Sequence, residues 1–282
     1  MKTRQFKQLA GRGFEQRLPL LLEGLQAIAQ NVDAIAAEFQ ICANAGAFRA
    51  AELHRIIGQE EAGKFLVLID SCRAPHADGA TISRQFGRAG NHLAKLIYAQ
   101  IADYSIASQR ELLRAIDRHR QALHLDGPND FDWIFPNELI AERESALYVD
   151  LVESEGVLGW SSPPESEEPL PLPRSIRLVQ ALVRTGIVSQ DGLPILQDAW
   201  RGFDPTIDTR YDDWAGRSAA ALESFAAGRT VSDDWGEAAG WVVELWPMPM
   251  VALDIALVEV TAEELAERRE SLFQATMGGE LG

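Results

Sequence analysis

Two cysteines, Cys42 and Cys72, are all that the 282 residues contain. So few exclude a disulfide framework, they lack zinc-ligand spacing, and both facts fit a reducing compartment. No apolar run approaches the roughly 20 residues a membrane-spanning helix needs. Lys and Arg precede "LPLLLEGL" near the N-terminus, but Glu23 interrupts that run and no small-residue cleavage site follows, so no signal peptide is read. The expected location is the cytoplasm, away from membranes.

Glycine-based catalytic loops are missing as well. There is no Walker or dinucleotide loop, and "GRAGNH" (87–92) has no strand before it. No Gly-x-Ser-x-Gly elbow occurs. Glu52-Leu53-His54 has the wrong spacing for the Glu-x-x-His pair of helical di-iron sites. Neither a cofactor nor a metal is expected.

What is present is an acidic, otherwise ordinary globular composition, with 46% hydrophobic residues, 24% charged residues and a net charge of −16. The charge is uneven. Residues 1–125 carry 16 Lys and Arg against 12 Asp and Glu, a net of +4, while residues 126–282 carry 10 against 30, a net of −20. Such asymmetry suits a weakly basic half that meets an anionic partner beside an acidic half that gives solubility or another contact surface; drift in surface composition is the alternative.

Hydrophobic periodicity predicts helices over about 18–45, 47–73, 81–124 with a kink near Gly87 or Gly90, and 138–148, with "YVDLVES" extended or irregular. Short connections between four helices imply an antiparallel bundle. "SSPPESEEPLPLP" (161–173) holds five prolines and three glutamates and reads as a stiff exposed linker. Beyond it, helices are expected near 174–188, 211–227 and 261–276, and "WVVELWPMPMVALDIALVEV" (241–260) resists assignment. The expected fold class is all-α, with three parts: a helical bundle over 1–160, the linker over 161–173, and an acidic helical accessory region over 174–282.

Positive charge gathers in "SRQFGRAGNHLAKLIYAQIADY" (83–104). On one continuous helix, Arg84, Arg88, His92 and Lys95 fall within about 80° of one another, opposite Phe86, Leu93, Ile97 and Tyr104. That stripe is either a solvated face or a place where Arg84, Arg88 and Lys95 hold a phosphate beside the His92 imidazole. Neighbouring cations disfavour the imidazolium, which suits a proton-accepting histidine. A polar stripe with two glycines also suits close packing against a symmetry mate, so a homodimer is expected.

The second helix shows the reverse pattern. Glu60 and Lys64 lie inside a stripe of Leu53, Ile56, Ile57, Val67 and Leu68, so an internal polar network with Glu61 is read, against the alternative of a surface pair. Arg143 sits at the centre of the apolar face of the fourth helix, with Tyr148 after four intervening residues. A guanidinium facing inward needs acceptors, and Glu60 and Glu61 are the natural candidates; snorkelling at the bundle edge is the alternative.

Three segments together carry a resemblance: "CANAGAFRAAELHRIIGQEEAGKFLVLI", "GNHLAKLIYAQ" and "AERESALYVDLVESEGVLGWSSP". Glu-Glu-x-x-Lys (Glu60, Glu61, Lys64), His-x-x-Lys (His92, Lys95) and Arg-x4-Tyr-Val-Asp (Arg143, Tyr148, Asp150), in this order, resemble the AbiV-type abortive-infection family of the HEPN superfamily over residues 18–163. The resemblance implies an all-α bundle that often dimerises and, in many members, a metal-independent endoribonuclease of antiviral or toxin systems. The usual signature is Arg, four to six residues, then His; here Tyr148 stands where that His is expected. His92 would then serve as general base or acid on a ribose 2′-hydroxyl, with Arg88, Lys95 or Arg143 stabilising the phosphorane. Two functions are expected: an anti-phage effector that cleaves or binds RNA, or a non-catalytic dimerisation or interaction module whose acidic half recognises a phage or host protein.

Overall fold

The computed structural model describes residues 5–74, 76–125, 134–149, 151–154, 157–161, 168 and 170–278. Eleven helices lie among them: α1 Phe14–Asn44, α2 Phe48–Asp70, α3 Gly79–Arg88, α4 His92–Asp103, α5 Gln109–His119, α6 Glu138–Leu147, α7 Arg174–Arg184, α8 Gly192–Ala199, α9 Tyr211–Ala226, α10 Trp235–Leu245 and α11 Ala262–Gly278. Two antiparallel hairpins accompany them, β1 Leu123–Leu125 with β2 Ile134–Pro136, and β3 Leu151–Ser154 with β4 Val157–Trp160. The fold is all-α with two short ribbons. Most of the linker expected at 161–173 lies outside the described residues.

The chain divides into two compact units, residues 1–113 with 165–254 and residues 114–164 with 255–282. Both units are therefore built from separate stretches of sequence.

In the first unit, α1 and α2 form an αα-hairpin whose turn contains Gly46 at φ 69°, a left-handed conformation that glycine adopts without penalty. The inner face of α1 is a 3.6-period stripe of Leu18, Leu21, Leu25, Val32 and Ile35, all buried. Next to it α2 is the central helix, packing on α1, α3, α4 and α7. Gly63 sets how closely α2 and α4 approach: a Cβ there would lie 1.9 Å from the Lys95 carbonyl oxygen. α7 packs on α1, α2 and α4 and carries α10, which packs in turn on α9, and α8 packs on α9.

The continuous helix expected over 81–124 is three helices, α3, α4 and α5. Asn91 makes the first break, its side chain accepting a hydrogen bond from the Ala94 amide at 2.9 Å as the N-cap of α4. This break puts Arg84 and Arg88 on α3 and His92 and Lys95 on α4, so the four do not share one helix face.

The unassigned stretch 241–260 also resolves. Its first five residues complete α10, and Pro247 and Pro249 forbid continuation of the helix. The following chain runs as an extended strap into the interior, with Met248, Met250 and Val251 buried. Buried side chains bind its backbone. Arg73 Nη1 donates to the Pro247 carbonyl (2.8 Å), Asp70 Oδ2 accepts from the Met250 amide (2.8 Å), and Arg88 Nη1 donates to the carbonyls of Met250 (3.0 Å) and Val251 (3.2 Å). Tyr98 and Gln85 join this network through Asp70 Oδ2 (3.0 Å) and the Arg88–Gln85 bond (2.7 Å).

In the second unit, the side-chain amide of Asn137 donates to the carbonyls of His119 and Gln121, both at 2.8 Å, while its oxygen caps α6 at the Ile140 amide. One residue thereby joins the end of α5 to the start of α6. α11 packs against β1.

Candidate functional site

The site begins with the first turn of α4. His92 is its first residue and Lys95 stands one turn on, so both side chains leave the same side of the helix. On the facing helix, Glu60 precedes Gly63 by three residues and points the same way. The close approach at Gly63 then brings three charged or titratable groups together. His92 Nδ1 lies 2.9 Å from each Glu60 carboxylate oxygen, and Lys95 Nζ lies 2.7 Å from Oε2.

Exposure separates their roles. Lys95 is buried, with 5% of its side chain exposed, the Glu60 side chain is 12% exposed, and the His92 side chain is 41% exposed. A buried carboxylate is stable when paired and hydrogen-bonded, and Lys95 supplies a charge partner that solvent does not reach. A carboxylate accepts only, so Nδ1 of His92 is the donor to Glu60, and Nε2 is the ring nitrogen left for another partner. Among the described residues Nε2 has no hydrogen-bond partner. Chemically, this is an imidazole held by a carboxylate and presenting its second nitrogen outward, an arrangement suited to proton transfer.

A second polar group lies beside the first on α2. Glu61 pairs with Lys64 through Oε1, and its Oε2 accepts from Asn31 of α1 at 3.3 Å. Both Glu61 and Lys64 are about four-fifths shielded. Of the stripe expected on α2, Ile56, Val67 and Leu68 are buried and Ile57 is exposed, with Glu60 facing α4 and Glu61 with Lys64 facing α1.

Two expectations for the basic stripe are corrected by burial. Arg88 is 6% exposed, and its guanidinium is spent on Gln85 and on the carbonyls of Met250, Val251 and Leu253. It therefore holds the strap in place and has no face to offer a phosphate. Lys95 is likewise turned inward onto Glu60. Arg84 stays exposed, with a long contact to Thr81 Oγ1 at 3.4 Å and its charge bearing on the Asp78 carboxylate.

Arg143 and Tyr148 belong to the second unit. Arg143 pairs with the adjacent Glu144, with 18% of its side chain exposed, and Tyr148 ends α6 as its C-cap with half of its side chain exposed.

The network that sequence reasoning missed is the one around Asp70. Burial, followed by the Asp70 charge, holds the Tyr98 phenol well above its usual range, and burial pushes the Cys72 thiol up to about 12, so this thiol is inert at neutral pH. Asp70, Arg73 and Cys72 carry no recognisable spacing; their one sequence signal is that charged residues continue an apolar helical pattern past Ile69. No group of three or more His, Cys, Asp or Glu side chains among the described residues is placed to hold a metal ion, and no helix among them is long and apolar enough to cross a membrane.

Residues 20–180 match the family HEPN_AbiV, described as AbiV. The match covers more than half of the 282 residues and runs from α1 into α7. The chain belongs to the AbiV family of HEPN proteins. Glu60, Glu61, Lys64, His92, Lys95, Arg143 and Tyr148 all lie inside the matched region. The AbiV region thus includes the Glu60–His92–Lys95 group and stops short of α8–α11. Neither the curated proteins nor the solved structures contain a match.

Proposed function

We propose that this AbiV-family chain is a cytoplasmic abortive-infection effector that acts on RNA, with His92 as its proton-transfer residue. The supporting observation is the Glu60–His92 pair, because a carboxylate 2.9 Å from Nδ1 fixes both tautomer and ring orientation. In the proposed reaction Nε2 takes the proton of a ribose 2′-hydroxyl, and the freed oxygen attacks the adjacent phosphorus. The P–O5′ bond breaks, and the leaving oxygen regains a proton, giving a 2′,3′-cyclic phosphate without a metal. Lys95 holds Glu60, Glu60 holds His92, and Arg84 is a surface cation available to the phosphate backbone; Arg143 and Tyr148 stay in the proposal as residues of the family pattern. The test is cleavage of a mixed RNA pool by the full chain at low salt in EDTA, with the 2′,3′-cyclic end read by mass spectrometry. Intact RNA at every enzyme concentration would refute the ribonuclease reading.

One observation favours the alternative, a non-catalytic module that binds a phage or host protein. In the second unit, the β3–β4 ribbon exposes Leu151 (55%), Leu158 (66%) and Trp160 (73%). Leu151 and Trp160 are cross-strand partners on one face. An exposed apolar face of this kind is a common mark of a contact surface. Both readings include a homodimer, which sedimentation at micromolar concentration tests.

A further inference from the structure

A cavity of ≈240 Å³ opens in the first unit between the turn after α4, the first turn of α9 and the end of α10. Its walls include Tyr104, Tyr211, Trp214 and Trp246, so two of the four tyrosines and two of the seven tryptophans of the chain meet at one opening. Three of these rings are held in place. The Tyr211 hydroxyl donates to the Val243 carbonyl at 3.0 Å, Trp214 meets Tyr211 edge-on at 5.8 Å, and Trp246 carries the Arg73 guanidinium 4.0 Å from its ring centre. A pocket with preformed walls binds without first paying the entropy of ordering them.

The polarity of the lining is one-sided. Glu244 is the one charged residue in it. Its Oε1 pairs with Arg174, which is not part of the lining, and its Oε2 has no partner among the described residues. Glu244 and Leu245 are also the last residues of α10, where unsatisfied carbonyls and the negative end of the helix dipole gather. Burial and then the Glu244 charge raise the Tyr211 phenol above its usual range, so the negative field reaches the aromatic wall. Aromatic rings, a carboxylate and a helix C-terminus each attract a cation and each disfavour an anion; Arg73 already occupies the Trp246 ring and Arg174 one Glu244 oxygen, which leaves the Tyr104, Tyr211 and Trp214 rings and Glu244 Oε2.

We propose that this cavity binds an organic ammonium group carried on a short apolar stem. The stem packs on the Tyr104 and Trp214 side, and the ammonium reaches Glu244 Oε2 across the ring faces. The volume is below the roughly 300–1,000 Å³ usual for drug-sized ligands, which suits a small amine or one lysine side chain. Both sources present the same chemistry. The proposal is independent of any action on RNA.

Calorimetry with the full chain tests it, using n-butylammonium, a blocked Gly-Lys-Gly peptide, the same peptide with acetyl-lysine, and n-butanol. The expected result is saturable one-to-one binding of an amine probe, at least about tenfold tighter than n-butanol or the acetylated peptide, on the scale of a desolvated cation–π contact. Tighter binding of the peptide than of n-butylammonium assigns the site to a lysine of a partner protein, and the reverse order to a free amine. Glu244→Gln and Tyr104→Ala, both at exposed side chains, should each weaken binding about tenfold with unchanged melting temperature. Absence of saturable binding by both amine probes, equal binding of n-butanol, or full affinity in a folded Glu244→Gln variant would overturn the proposal.

Discussion

The Glu60 carboxylate lies 2.9 Å from Nδ1 of His92, and the same carboxylate is held at 2.7 Å by the buried ammonium of Lys95. Lys95 matches the Glu60 charge, so His92 need not be an imidazolium to keep Glu60 inside the protein. In Glu60→Gln the neutral amide no longer selects the Nδ1–H tautomer. RNA cleavage should fall by about 10²-fold or more, the usual scale of a general acid–base contribution, while RNA affinity stays within about twofold. Equal loss of affinity and cleavage in titrations of a labelled RNA would place Glu60 in substrate binding instead.

Arg88 and Arg84 should behave oppositely although they are one turn apart. Arg88→Ala removes donors from the carbonyls of Met250 and Val251 and should destabilise by about 2–4 kcal/mol, the range for loss of a buried, hydrogen-bonded charge. Arg84→Ala, at an exposed position, should stay within about 0.5 kcal/mol. Urea denaturation of the two variants checks the contrast, and comparable midpoints would mean that the strap is not held by Arg88.

The contrast also shows what the sequence made legible. Periodicity placed α1, α2, α6, α7, α9 and α11 because each has a long apolar stripe or clear stop signals. Glu60 was readable as an inward charge for the same reason. Periodicity over residues 81–124 stayed helical across Gly90 and Asn91, yet a single N-cap side chain turned the axis and moved Arg88 and Lys95 from a supposed surface into the interior. α8 and α10 escaped because α8 is eight residues long and α10 carries two glycines; packing of Ala238, Val242 and Leu245 stabilises α10 against its weak propensity. The partners of Glu60 and Asp70 are tertiary, set by the approach of α4 to α2 and by a strap some 180 residues away in sequence, and no local pattern encodes them.

Gly63 should tolerate no side chain. Its Cβ would fall 1.9 Å from the Lys95 carbonyl oxygen, and backbone cannot move aside as a side chain can. Gly63→Ala should destabilise by about 2 kcal/mol or more through overpacking and should separate Glu60 from His92. A thermal melt together with cleavage by the remaining folded fraction checks both consequences; a melt unchanged from wild type would show that α2 and α4 do not meet at this residue.

Asp103 should make stability depend on pH. Burial raises its carboxyl to about 6 from 3.8, against the opposing hydrogen bonds of the Ser175 and Arg174 amides. A folded-state value above the unfolded one means that the folded state binds the proton more tightly. The stabilising contribution is then fully present below about pH 4 and is lost as pH rises through about 6. Asp103→Asn keeps an acceptor for the Ser175 amide without the buried charge, so its stability relative to wild type should rise over that window by at most about 3 kcal/mol. Parallel stability curves for the two proteins between pH 4 and pH 7 would contradict the assignment.

The most direct measurement of the central claim is single-turnover cleavage of a bound RNA by wild type and His92→Ala, at low salt, in EDTA and at neutral pH. The account predicts a wild-type product ending in a 2′,3′-cyclic phosphate, a drop of about 10²- to 10⁴-fold in His92→Ala, and nearly unchanged RNA affinity, since the part proposed for His92 is proton transfer rather than phosphate binding. Cleavage by His92→Ala at the wild-type rate, or no cleavage by a wild-type protein that is folded and binds the RNA, would contradict it.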